Sequence, residues 1–182
     1  MDDSVTVTAG KRLSPKQAIV ALMIAGSTLL WCVAGLQLQA VAPDIGLWPA
    51  NAILLGILAV VRRASNPLTW VTSTLAYLVA AVFMGRDFGD AAQFTIENIS
   101  GVFVGLALIE RYRARLTPIV DPAGLVTMFG IFVAVSLTHG IMGSLMTPAA
   151  FDLALLEKFF LLTVSEFLNL TIFLPLVAAQ RM

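Results

Sequence analysis

Apolar residues run through this sequence in long blocks, and short polar or charged clusters separate them. Six blocks read as membrane-crossing helices, at residues 17–36, 47–61, 68–84, 91–109, 123–145 and 159–179. Ser14-Pro15-Lys16-Gln17 is a helix start, with Ser14 as cap, Pro15 at the first helical position and Gln17 closing a capping box. Gln37 to Gly46, with Pro43 and Asp44, is a loop, and the second block stops hard at Arg62-Arg63. That block has about 15 residues, or about 22 Å of helix, against a hydrocarbon core of about 30 Å. It is expected either to be short or to begin below the membrane surface, leaving room above it.

The brief turn Ala64-Ser65-Asn66-Pro67 makes the second and third blocks a helical hairpin. Gly85 to Asp90 is a tight polar loop, and Glu110-Arg111-Tyr112-Arg113-Ala114-Arg115 ends the fourth block. Pro118 and Pro122 break the next linker, Pro148 to Lys158 forms a longer connection, and Pro175 lies near the end of the sixth block. Residues 1–14 read as a disordered cytoplasmic tail and residues 15–182 as one transmembrane domain. No internal repeat stands out.

Composition turns this helical pattern into a membrane reading. The chain is 59% hydrophobic and 12% charged, with a mean hydropathy of +0.92. A water-facing globule carries roughly 25% Asp, Glu, Lys and Arg, so most of this surface needs lipid as its solvent. The formal net charge is zero, and no basic face is large enough for nucleic acid. Cys32, the single cysteine, cannot form an intrachain disulfide. The first block follows Lys11, Arg12 and Lys16 as a signal peptide would, but its apolar core is too long, so it reads as an uncleaved span.

Charge also orients the chain. Alternating the loops puts Lys11, Arg12, Lys16, Arg62, Arg63, Arg111, Arg113, Arg115 and Arg181 on one side, and Arg86 and Lys158 on the other. By the positive-inside rule both termini are cytoplasmic. Trp48 and Trp70 then fall near opposite interfaces, as belt aromatics. The fold expected is an all-α integral membrane bundle of six transmembrane helices.

Ionisable groups inside spans cost about 2.5–3.5 kcal/mol at the centre on insertion scales. Here they are Glu97, His139 and Glu166, beside the amides Asn51, Gln93, Asn98 and Asn169. The orientation places those of four spans at similar depth, in the outer half. Gln93 and Glu97 share a helix face, as do Glu166 and Asn169. This suggests a polar pocket open to the outside, with Trp48 and Asn51 at its mouth and Glu97 and Glu166 as charged or proton-sharing members. A small cationic or hydroxyl-rich ligand would suit it. Trp48, Asn51, Glu97, Asn98, His139, Glu166 and Asn169 are therefore the candidate ligand-binding residues. The competing reading is interhelical glue, at about 0.6 kcal/mol per hydrogen bond. It fits Asn51, Asn98 and Asn169 well, and both readings stand for Glu97 and Glu166. His139, near an interface, reads as solvated or hydrogen-bonded. With one His and one Cys, no zinc or haem site is expected, and no cofactor is called for.

Gly101 and Gly105 form a GxxxG pattern that permits close helix packing, within the bundle or in a homodimer. Arg111, Arg113 and Arg115 suit anionic membrane lipid. No phosphate-binding loop, nucleophile elbow or HExxH is present, so the chain is not read as an enzyme.

Three segments in order carry a resemblance: Leu47-Trp48-Pro49-Ala50-Asn51-Ala52-Ile53, Ile96-Glu97-Asn98-Ile99, and Ser165-Glu166-Phe167-Leu168-Asn169 running on to Leu174-Pro175-Leu176. This order is similar to the bacterial membrane-associated sensor domain of the MASE group, first class, over about Ala40 to Val177. The resemblance implies a bacterial inner-membrane module that senses a signal and passes it to a cytoplasmic signalling domain or a membrane partner. It puts Trp48, Pro49, Asn51, Glu97, Asn98, Glu166, Asn169 and Pro175 on family-like positions. Two departures matter. The family has more spans than the six counted here, and it continues into an output domain, whereas Met182 follows Pro175 by only seven residues. The expectation is a sensory piece of a longer chain, or a stand-alone protein acting through a partner. Alternatives are an accessory subunit of a membrane complex and a six-span substrate-binding component of a solute transporter.

Overall fold

The computed structural model describes residues 14–41, 47–61, 64–116, 121–146 and 154–178. The tail expected over residues 1–14 lies outside the described residues except for Ser14, as do Pro43, Asp44, the Arg62-Arg63 stop, Pro118 and Pro148. Every regular element among the described residues is helical: α1 (Pro15–Val41), α2 (Pro49–Val60), α3 (Pro67–Phe83), α4 (Phe88–Tyr112, then a 3-10 turn at Arg113–Arg115), α5 (Pro122–Met146) and α6 (Leu155–Ala178). Four of them, α1, α4, α5 and α6, are long and apolar enough to cross a membrane, and α2 and α3 are shorter apolar helices.

The helix starts follow local chemistry. Four helices begin on proline, whose fixed φ suits the first helical position and whose missing N–H is not needed there. Ser14 and Gln17 form a reciprocal capping box, with Ser14 N donating to Gln17 Oε1 at 2.9 Å and Gln17 N to Ser14 Oγ at 3.3 Å. Asn66 caps α3 by accepting from Thr69 N at 3.1 Å, and Asp87 caps α4 by accepting from Asp90 N at 3.0 Å.

Several boundaries differ from expectation, among them those of α4, which takes in Phe88 to Asp90, expected as loop, and Glu110 to Tyr112, expected as its stop. Residues Gln37 to Val41, expected as loop, continue α1, because no helix breaker occurs before Pro43. Leu155 to Lys158, expected as connection, form the first turn of α6, where Glu157 Oε2 accepts from Ala154 N at 3.2 Å.

Helices α1, α3, α4, α5 and α6 pack in that order, each against the next, and α2 lies against α1, α4 and α6. Every residue of α2 from Pro49 to Gly56 is buried, so this helix is enclosed on all sides. The short α2 is therefore the central post of the bundle and not a peripheral span. The outward surface is apolar, as with Leu22, Met23, Val71, Phe103, Val126 and Leu176. The interior carries Asn51, Glu97, Asn98, His139, Glu166 and Asn169. Apolar side chains outside and polar ones within is the arrangement lipid selects, because polar groups find partners only inside the bundle.

Glycines allow the closest approaches. A Cβ on Gly35 of α1 would stand 2.5 Å from the Trp48 ring, and one on Gly105 of α4 would stand 2.6 Å from Leu55 and 3.0 Å from Val135. Gly101 and Gly105 are both buried inside this bundle, so the GxxxG face is spent on α2 and α5 and is not free for a second copy. Trp70 stacks edge-on against Phe103 at 5.9 Å.

Gly35→Ala should destabilise the protein by about 1–3 kcal/mol, because the Trp48 ring has no room to retreat. Gly26→Ala, where a Cβ meets nothing within 4 Å, should be neutral or stabilising by up to about 1 kcal/mol from helix propensity. Thermal unfolding in detergent, followed by circular dichroism, separates the two.

Candidate functional site

The polar groups meet around the first two turns of α2. Trp48 precedes the helix, and its backbone N–H donates to Asn169 Oδ1 of α6 at 2.9 Å. Asn169 Nδ2 in turn donates to Ser165 O at 2.8 Å, which holds the amide in that orientation. One turn into α2, Asn51 Nδ2 donates to Glu166 Oε2 at 3.2 Å, while Asn51 Oδ1 accepts from the Tyr77 hydroxyl of α3 at 2.7 Å. Asn51 thus joins three helices through one amide. Glu166 and Asn169 lie three residues apart on α6, so one face of that helix supplies both attachments.

A second contact ties α4 to α5. His139 Nε2 lies 3.2 Å from Glu97 Oε1, with both side chains almost fully buried. Gly143, four residues beyond His139 on the same face of α5, makes the space: a Cβ there would stand 2.5 Å from Glu97 Oε1. Hydrogen-bonded or ionised, the pair closes only because α5 carries glycine at that position.

The aromatic side chains complete the centre. Phe94, one turn before Glu97 on α4, lies 5.2 Å from the Trp48 ring in an edge-to-face arrangement and 6.4 Å from Tyr77. Among the described residues four buried atoms here make no hydrogen bond: Trp48 Nε1, Asn98 Oδ1, His139 Nδ1 and Glu166 Oε1. No three His, Cys, Asp or Glu side chains among the described residues come together as a metal-binding group.

Several expectations change. Trp48 is 4% exposed and packs on Gly35 and Phe94. It is neither a belt aromatic nor the rim of an open mouth, because its ring fills the notch glycine leaves on α1. His139 is buried and paired, not solvated, since α4 covers it with Glu97. Asn51 and Asn169 bridge helices, whereas Asn98 Nδ2 donates to Phe94 O of its own helix at 2.7 Å. A groove of about 330 Å³ does exist between α3 and α4, but Thr74, Thr95, Ile96, Ile99, Ser100, Phe103 and Val104 line it, away from the acids.

Sequence reasoning missed Tyr77, Phe94 and Arg86 as parts of this centre, whereas Gly140 and Gly143 stood out in the sequence as candidate packing glycines. Tyr77 carried a signal, being a phenol in the middle of an apolar helix that needs a partner for its hydroxyl. Arg86 follows α3, and its guanidinium carbon sits 4.4 Å from the Phe94 ring centroid. Comparison with protein-family models, with curated proteins and with solved structures gives no match for this chain.

Tyr77→Phe should cost about 1 kcal/mol, and Asn51→Leu about 2 kcal/mol, since the latter strips a partner from both Tyr77 and Glu166. The double substitution should cost less than the sum, because both act on one hydrogen-bond chain. Unfolding midpoints for the four proteins of the cycle test this.

Proposed function

We propose that this chain is a non-catalytic, membrane-embedded sensory module: six helices cross the bilayer, both termini lie in the cytoplasm, and a buried polar centre in the outer half biases α6. The observation that carries the reading is the Tyr77–Asn51–Glu166 chain together with the Asn169–Trp48 contact. Two buried carboxylates and three helices joined by side-chain amides exceed what packing requires, and ionisable groups at membrane depth point to function. The reading is also supported by the resemblance to the first-class MASE sensor domain. Trp48 with Asn169 and Asn51 with Glu166, which carry it, are hydrogen-bonded pairs, and Glu97 shares a face of α4 with Phe94, which packs on Trp48.

In this mechanism a ligand or a proton at the centre alters the Glu166 and Asn169 contacts. Both are on α6, so α6 shifts or tilts against α2, and the movement reaches the cytoplasmic side near Arg181. The output is a cytoplasmic signalling domain or a membrane partner in a bacterial inner membrane.

Native mass spectrometry of gently extracted protein tests the reading. A small bound molecule in the wild type, lost in Glu166→Gln, supports it. A protein partner at fixed stoichiometry with no small ligand would overturn it in favour of an accessory subunit, and uptake of a radiolabelled solute into vesicles would overturn it in favour of a transporter. The orientation has its own check. With Cys32 replaced, Asp87→Cys should react with an impermeant maleimide added outside intact cells, and Ala114→Cys should react only after permeabilisation.

A further inference from the structure

The turn that carries Arg86 is held at both ends. Gly85 has φ +89°, in the left-handed region glycine favours. Gly85 N donates to Val82 O at 3.0 Å and Arg86 N to Ala81 O at 3.1 Å, which is the Schellman closure of α3. Asp87 then caps α4 at once. Arg86 is caught between two helix caps, and its direction is set by them.

That direction takes its guanidinium over the Phe94 ring, 4.4 Å from the centroid. Phe94 and Glu97 share a face of α4 at i, i+3, so the cation lies above the ring and within electrostatic reach of the Glu97 carboxylate. Trp48 and Tyr77 pack around the same Phe94 ring. Glu97 holds His139 on one oxygen, and Glu166 keeps Oε1 without a hydrogen-bond partner among the described residues at 1% exposure. Among the described residues the Arg86 side chain makes a ring contact but neither a hydrogen bond nor an ion pair. It is a half-buried cation held by a π face and by attraction at a distance, with no direct bond to break before it leaves.

We propose that Arg86 is the tethered occupant of a cation site built from the Phe94 ring and the Glu97 carboxylate, and that a small soluble cation of the guanidinium or alkylammonium class competes with it. This deepens the sensory reading, on which it rests, by naming the ligand class. The ligand takes the place of Arg86 over Phe94, and the released turn uncovers the buried acids. A quaternary or planar cation suits the ring face, and Glu97, with the exposed Asp90, supplies the negative charge near it.

The test measures carbodiimide modification of Glu97 by mass spectrometry, in full-length protein reconstituted in liposomes. Arg86→Ala should raise modification several-fold, Arg86→Lys should keep it near wild type, and methylguanidinium chloride should protect Glu97 in Arg86→Ala where sodium chloride at equal ionic strength does not. In the wild type, tetramethylammonium should speed phenylglyoxal modification of Arg86, a readout that needs no variant to fold. Equal Glu97 modification in Arg86→Ala and wild type, or protection by both salts alike, or no effect of tetramethylammonium on Arg86, would overturn the proposal. None of these readouts involves a cytoplasmic response. Cation protection of Glu97 with no downstream signal therefore supports the site while counting against the sensory reading.

Discussion

The bundle is organised by the hydrogen bonds that suspend α2 at its centre. Asn51 accepts from Tyr77 and donates to Glu166, and the Trp48 backbone donates to Asn169. Twelve residues make α2 about 18 Å long, far less than a bilayer core. Length alone does not fix the depth of a helix that short. Apolar contact does not position it either, because in lipid the alternative neighbours of a leucine are equally apolar. Directional bonds from one amide to two other helices set its depth and its rotation together.

The remaining packing follows from that placement. An enclosed α2 requires its neighbours to come close, and they do so at glycine: Gly35 against Trp48, Gly105 against Leu55, and Gly56 of α2 itself against Leu174 and Val177. The same device builds the second clamp, where Gly143 admits the Glu97 carboxylate to His139. One clamp joins α2, α3 and α6, and the other joins α4 and α5. The two clamps are separate in their hydrogen bonds, and Phe94, on the same face of α4 as Glu97, packs on both Trp48 and Tyr77 between them.

Arg86 lies at the edge of this arrangement and shows how turn chemistry reaches into it. A left-handed glycine and two adjacent helix caps aim a cation at an aromatic ring that shares a face of α4 with Glu97. The turn is ordinary in its parts. Its consequence comes from what α4 places one and two turns further on.

The pattern of apolar blocks was enough to define the helices, because hydropathy and length act along the chain without reference to anything else. Ser14 and Gln17, Asn66, Asp87 and the four leading prolines set helix starts by contacts within a few residues. The same local reading singled out Asn51, Glu97, His139, Glu166 and Asn169, since a polar group in an apolar run is visible wherever it occurs. Their partners were not visible. Whether Asn51 meets Glu166, whether His139 meets water or Glu97, and whether Trp48 faces lipid or Gly35 depend on how far each helix is rotated about its axis. That rotation is set by contacts between residues more than a hundred positions apart, such as Trp48 with Asn169, and only the assembled bundle supplies them.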